Sequence, residues 1–101
     1  MITVLASIRV KTGGLSDFLE IFKANVSHVR KEKGCLEYFP AVDIDAGLPG
    51  QTFDETVVTV VEQWEGLEAL RDHAGAPHML AYREKAKDLV EGISVKVLRE
   101  A

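Results

Sequence analysis

A chain of 101 residues is long enough for one small domain with a single core, and we expect residues 1–101 to form that domain. Hydrophobic residues make up 47% of the sequence and charged residues 28%, which is typical of a globular rather than a disordered protein. The net charge of −4 and the lack of a basic stripe argue against nucleic acid or an anionic membrane surface as a partner.

The chain begins with a strand followed by a helix. Residues 2–10 predict the first strand, and this apolar stretch is too short for a membrane span and lacks the basic region of a signal peptide. Apolar side chains then recur at helical spacing from Leu15 to Val29. A charged run at 30–33 and the helix-stopping Gly34 mark the end of this helix.

The second strand is predicted over residues 35–44 and contains Pro40, which has no N–H to donate. This part of the strand should therefore lie at a sheet edge or at a bulge. The strand opens with Cys35, the only cysteine, which excludes an internal disulfide and fits a reducing cytoplasm as the location. A loop rich in glycine and proline follows at 45–54.

The second half of the chain supplies two more strands and two helices. A third strand is predicted at 55–64 and a short helix at 67–73, which Gly75 interrupts before Pro77 starts the next helix. That last helix should reach about Val90, and the final strand should cover 93–100. The order β-α-β-β-α-β predicts an α+β, ferredoxin-like fold with an antiparallel four-stranded sheet.

The third strand indicates that the sheet is covered on both faces. Residues 57–61 are almost continuously apolar, and the first strand alternates poorly too. A sheet with helices on one face should alternate apolar and polar side chains, so we expect a second copy to cover the other face in a homodimer. The alternative is a single sheet that tolerates surface valines.

Three short motifs carry a resemblance to a known family. Gly34-Cys35 with Tyr38, Glu62-Gln63-Trp64 and Pro77-His78-Met79, in this order, resemble the antibiotic-biosynthesis monooxygenase family. The stretches GCLEYFPAVD, VVEQWE and PHMLAY are most similar to its quinol monooxygenase branch. The resemblance implies a dimeric α/β barrel with a pocket between sheet and helices. It also implies oxidation of a hydroquinone or polycyclic phenol by O2 without a metal or flavin.

The haem-degrading branch of the same family is a poorer match. That branch carries an asparagine on the first strand, a tryptophan on the short helix and a histidine ligand on the last helix. The corresponding positions here are Ile8, His73 and Arg83. Because all three differ, we do not expect haem degradation.

The catalytic candidates follow from what a cofactor-free oxidation requires. The protein must remove a phenolic proton, hold a flat ring and exclude water. His73 and His78 are the candidate bases, since histidine ordinarily titrates near pH 6.5. Trp64 offers a flat face and an N–H donor, although a tryptophan that ends a strand is as often a core anchor.

The remaining candidates are expected to bind the substrate. Tyr38 and Tyr82 could donate hydrogen bonds to quinone oxygens, and the apolar side chains of Ile8, Leu70 and Met79 could keep the pocket dry. Glu62 lies in an apolar strand, and a partly buried carboxylate there needs a partner, either a nearby arginine (Arg9 or Arg71) or a histidine.

Neither a metal nor an organic cofactor is expected. The sequence contains no phosphate-binding glycine motif, and His73 and His78 are five positions apart across a Gly/Pro break, unlike the paired histidines of a metallohydrolase helix. The expected partners are a second copy of the chain, a small aromatic substrate and O2. A non-catalytic small-molecule-binding or structural dimer of the same fold is the alternative function.

Overall fold

The computed structural model describes residues 1–101 and contains four strands and three helices. The order β-α-β-β-α-α-β confirms the ferredoxin-like arrangement, with the second helical region divided into two helices. The elements are β1 (Ile2–Val10), α1 (Leu15–Arg30), β2 (Cys35–Val42), β3 (Val57–Trp64), α2 (Leu67–Ala74), α3 (Pro77–Ala86) and β4 (Val90–Leu98). None of the helices is long and apolar enough to cross a membrane.

The four strands form one antiparallel sheet in the order β2-β3-β1-β4. Pro40 lies on β2, which is an edge strand as its missing N–H requires. The register of β2 against β3 also shifts between Cys35 and Glu37, so this strand is both at the edge and irregular.

The last helix is shorter than predicted, and the expectation that it reaches Val90 is wrong. It ends at Ala86, and β4 begins at Val90 instead of residue 93. The backbone N–H of Lys11 donates to the carbonyl of Leu89 at 2.9 Å, and Val10 pairs with Val90. Pairing with β1 therefore starts the strand at Val90, and the bond from Lys11 holds Leu89 in the turn before it, although both apolar side chains also suit a helix face.

The loop between β2 and β3 is wider than the predicted residues 45–54 and covers 43–56. The backbone N–H of Asp54 donates to Asp43 Oδ2 at 2.9 Å, which ties the two ends of the loop together. Hydrogen bonds from Thr56 and Arg9 lower the pKa of Asp54 to about 2. These local polar bonds add to the backbone bond from the Val10 N–H to the carbonyl of Thr56 at 2.8 Å.

The core lies between the sheet and α1. Strands β1 and β3 alternate, with one face buried against the helices, and Phe18, Phe22 and Val29 of α1 are also buried. The alternation of β1 is clearer than expected, because Ser7 and Arg9 point away from the core and are exposed. The buried residues of the two strands are Val4, Ala6, Ile8, Val10, Val58, Val60, Glu62 and Trp64.

The helices do not cover the helix-facing side of the sheet at β4. Helices α1 and α2 pack on β2 and β3 respectively. Ile93 and Val95 pair with Ile8 and Ala6, so they belong to the helix-facing side of the sheet. They are nevertheless 64% and 54% exposed. The gap between α3 and this part of the sheet forms the opening of the candidate site.

Candidate active site

A cavity of about 480 Å³ lies between the helix-facing side of the sheet and α3. This volume is typical of a pocket for a small organic molecule, and most of its lining is apolar. All of the predicted site residues except His78 and Trp64 line the cavity: Ile8, Tyr38, Glu62, Leu70, His73, Met79 and Tyr82. Strand period and helix packing thus bring residues from distant parts of the chain to one cavity.

An aromatic group forms part of the cavity wall. The rings of Phe22 and Tyr38 stack with centroids 5.5 Å apart and an interplanar angle of 13°. Tyr82 packs edge-on against Phe22 at 5.6 Å. Burial raises the pKa of Tyr82 to about 12 and also raises that of Tyr38, where the nearby Glu62 carboxylate adds to the effect. Both hydroxyls therefore stay protonated at neutral pH and can donate hydrogen bonds.

Glu62 is a carboxyl group in a largely apolar wall, and its residue is only 6% exposed. Its Oε1 accepts a hydrogen bond from Trp64 Nε1 at 2.9 Å, since residues two apart on a strand share a face. Burial raises its pKa, and the Glu32 carboxylate also acts in that direction. The expectation of Arg9 as its partner is wrong, because Arg9 pairs with Asp54 at 3.0 Å.

Trp64 lies behind the cavity wall and is 0% exposed. Its ring centroid is 4.6 Å from that of His73, and its N–H is directed at Glu62. The indole is therefore placed to support His73 and Glu62, which agrees with the core anchor that the sequence offered as the alternative to a flat face for the substrate. Both groups that it supports line the cavity.

The two histidines meet on one carboxylate that the sequence did not indicate. His73 Nδ1 lies 2.9 Å from Glu32 Oε2, and His78 Nε2 lies 2.7 Å from the same oxygen. His73 Nε2 is 3.9 Å from Glu62 Oε1, which is beyond hydrogen-bonding distance. No set of three or more His, Cys, Asp or Glu side chains in the chain is arranged to hold a metal ion.

The sequence did not indicate three charged residues of the site, which are Glu32, Arg83 and Lys87. Glu32 belongs to a Lys-Glu-Lys run, a pattern that usually indicates a solvated helix end. Arg83 and Lys87 line the cavity from α3 and the turn after it. They follow Met79 at four-residue steps, so helical spacing is the signal that could have placed them on the same face.

Comparison with known proteins places these features in context. Residues 1–85 match the family model described as antibiotic biosynthesis monooxygenase. The protein named "Probable quinol monooxygenase YgiN" from Escherichia coli K12 is 37% identical in an alignment 101 positions long that covers 98% of this chain and 97% of that protein. The protein of the same name from Shigella flexneri matches to the same extent.

Solved structures agree in fold. A conserved protein from Methanosarcina mazei Go1 superimposes with a TM-score of 0.85 at 19% identity, covering 99% of this chain and 92% of the other. Rv0793 from Mycobacterium tuberculosis gives a TM-score of 0.82 at 24% identity, covering 99% and 94%. At these sequence identities the structural similarity establishes the fold, and the chemistry has to be argued from the residues of the site.

Proposed function

The chain belongs to the antibiotic biosynthesis monooxygenase family, and we propose that it oxidises a quinol or a related phenolic aromatic with O2, without a metal or flavin. The observation that carries the proposal is the largely apolar cavity of about 480 Å³ with His73 and Glu62 in its wall. The name of the Escherichia coli relative supports a quinol as the substrate class.

The proposed chemistry asks three things of the protein. An ionised quinol is electron-rich and reduces O2 itself, so the protein must take the phenolic proton, hold the planar ring and keep water away from reduced oxygen species. The apolar lining of the cavity meets the third need. The tyrosine hydroxyls, which stay protonated, supply donors for the quinol oxygens.

His73 is the proposed base. Its Nε2 makes no hydrogen bond, and its residue is 5% exposed in the wall of the cavity. A substrate hydroxyl beside His73 Nε2 can donate to that nitrogen, and Glu62 Oε1 lies 3.9 Å from the same nitrogen. His73 takes the proton of that hydroxyl, and the imidazolium can later return a proton to the reduced oxygen species.

The assembly proposed from the sequence is a homodimer whose sheets face each other as an α/β barrel. On the face turned away from the helices, Leu5, Phe39 and Val61 are neighbours across three strands; Leu5 and Val61 are half-buried and Phe39 is exposed. A second copy would cover these side chains, each worth about 1.5–3 kcal/mol when fully buried. The single domain over residues 1–101 is part of the same proposal.

An oxygen-electrode measurement tests the proposed function. Purified protein, with its metal and flavin content measured on the same sample, is given a panel of reduced benzoquinols and naphthoquinols. We expect saturable O2 consumption above the enzyme-free rate in protein without stoichiometric metal or flavin, and activity that survives a chelator. Glu20→Gln is the control for His73→Gln, because Glu20 is exposed on α1 and lies outside the cavity.

The outcomes separate the proposed function from its alternative. Tight binding of the quinols without O2 consumption would indicate the non-catalytic small-molecule-binding domain. Activity that appears only with a stoichiometric metal or flavin would contradict the cofactor-free reaction. Equal loss of rate in Glu20→Gln and His73→Gln would contradict the proposal that the reaction takes place in the cavity.

A further inference from the structure

We propose that Glu32 is a positioning residue that holds His73 and His78 in opposite tautomers and thereby makes His73 the base. The effect of Glu32 on kcat rests on the proposed function, whereas the two tautomers do not. The arrangement itself is visible in the contacts of one oxygen, Glu32 Oε2, with Nδ1 of His73 at 2.9 Å and Nε2 of His78 at 2.7 Å.

The backbone fixes Glu32 in a turn between α1 and β2. Its N–H donates to the carbonyl of Val29 at 2.9 Å, and its own carbonyl accepts from the N–H of Cys35 at 3.2 Å. Its side chain is only 13% exposed, although residues 31–33 are all charged. The carboxylate therefore points inward to the histidines, which α2 and α3 bring from the other side.

The tautomers follow from the hydrogen bonds. An ionised carboxylate only accepts, so each histidine must donate to Glu32 through an N–H. His73 then carries its proton on Nδ1 and leaves Nε2 as an acceptor, while His78 carries its proton on Nε2. Only His73 lines the cavity. The Glu32 carboxylate thus leaves Nε2 of His73 unprotonated at the cavity, whereas Nε2 of His78 carries a proton and donates to Glu32.

The same contact supports proton removal. The O–H bond of the substrate breaks, an N–H bond forms at His73 Nε2, and the electron pair stays on the substrate oxygen. The positive charge that develops on the ring lies 2.9 Å from Glu32, which stabilises it while Nδ1 keeps its proton. Other ionisable groups lie around Glu32 and the two histidines on the neighbouring elements: His28, Lys33, Cys35, Tyr38, Glu62, Arg71 and Asp72.

A nitrogen-15 NMR spectrum of the imidazoles tests the tautomers without any substrate. It is recorded at a pH about two units above the ordinary histidine pKa of about 6.5, where histidine side chains are normally neutral. We expect His73 to be protonated on Nδ1 alone and His78 on Nε2 alone, with both preferences weakened in Glu32→Gln. A His73 ring protonated on Nε2, in either the neutral or the cationic form, would overturn the proposal.

A double-mutant cycle tests the effect on the reaction. Glu32→Gln should lower kcat by about 10–100-fold, as loss of a group that orients a catalytic histidine does, with little change in KM. In the His73→Gln background the same change should alter kcat less than twofold, because its effect passes through His73. Glu20→Gln, an exposed glutamate on α1, is the matched control.

The two measurements keep the proposals distinguishable. If no quinol is oxidised, the proposed function fails, while the spectrum still decides the tautomers. If Glu32→Gln lowers kcat equally with and without His73, the residue does not act through His73 and the inference is wrong. If Glu32→Gln does not fold, the spectrum of the unmodified protein decides alone.

Discussion

Replacing Gly34 by alanine should separate α2 from the turn that carries Glu32. Gly34 has φ +84°, and a Cβ built there would lie 2.6 Å from the Cβ of Ala69 on α2. Real Cβ atoms do not approach so closely, so the turn or α2 must move. Ala69 lies one helical turn before His73, so a displacement at Ala69 is passed to the contact between His73 and Glu32.

The magnitude has two parts. Alanine in the left-handed region costs about 1–2 kcal/mol. Forcing an extra methyl group into a packed contact adds about 1–3 kcal/mol, so Gly34→Ala should lower the free energy of unfolding by about 2–5 kcal/mol. Gly13→Ala is the matched control, because Gly13 has φ +83° and no atom within 4 Å of the added Cβ. It should show the backbone part alone.

Urea unfolding of the variants measures both parts. The difference between Gly34→Ala and Gly13→Ala should be about 1–3 kcal/mol, the cost of the clash. Adding Ala69→Gly to Gly34→Ala removes the opposing methyl group and should recover most of that difference, less about 1 kcal/mol for glycine in a helix. Equal destabilisation by the two glycine substitutions would refute the close approach of α2 to the turn.

Three further predictions concern the sheet and its buried carboxyl group. Because burial raises the pKa of Glu62 from its ordinary 4.5, the folded state binds the proton more tightly than the unfolded state does. The free energy of unfolding of the wild type, relative to that of Glu62→Gln, should therefore fall as pH rises above 4.5. Urea unfolding of both proteins measures it, and a difference between them that does not change with pH would contradict the prediction. Trp64→Phe removes the N–H donor to Glu62 and should cost about 1–3 kcal/mol in thermal or urea unfolding; an unchanged free energy would count against that hydrogen bond. Val61→Lys should weaken the dimer, as measured by light scattering, and leave the protomer folded. Val60→Lys places a charge in the core and should unfold the protomer. A wild-type protein that is monomeric at micromolar concentration would contradict the proposed dimer.

Much of the fold could be predicted because its determinants are local. The strand at residues 2–10 and the helix from Leu15 follow from apolar spacing, and Pro40 identified an edge strand. The end of the last helix could not be found in this way. Leu89 and Val90 suit a helix face, and only contacts distant in sequence, with Lys11 and Val10, place Leu89 in the turn before β4 and Val90 in the sheet.

The residues of the candidate site also fall into those that the sequence indicated and those that it did not. His73, Tyr82 and Met79 lie in one stretch of sequence, and the family resemblance directed attention to that stretch. Glu32 was missed because its burial depends on the approach of α2 and α3, which no local pattern records. The sequence left Trp64 as either a flat face for the substrate or a core anchor, and its place at the buried end of β3, with its N–H towards Glu62, agrees with the core anchor.

The dependence of kcat on pH tests most directly the claim that His73 is the base of a cofactor-free oxidation. Turnover at saturating quinol is measured for the wild type and for His73→Gln, and each rate is corrected for autoxidation without enzyme. We expect the wild-type kcat to rise with pH as the base loses its proton, and the substitution to abolish this rise. The loss in kcat should be on the order of 10²–10⁴-fold. A His73→Gln variant with a near-wild-type kcat and the same pH profile would contradict the account.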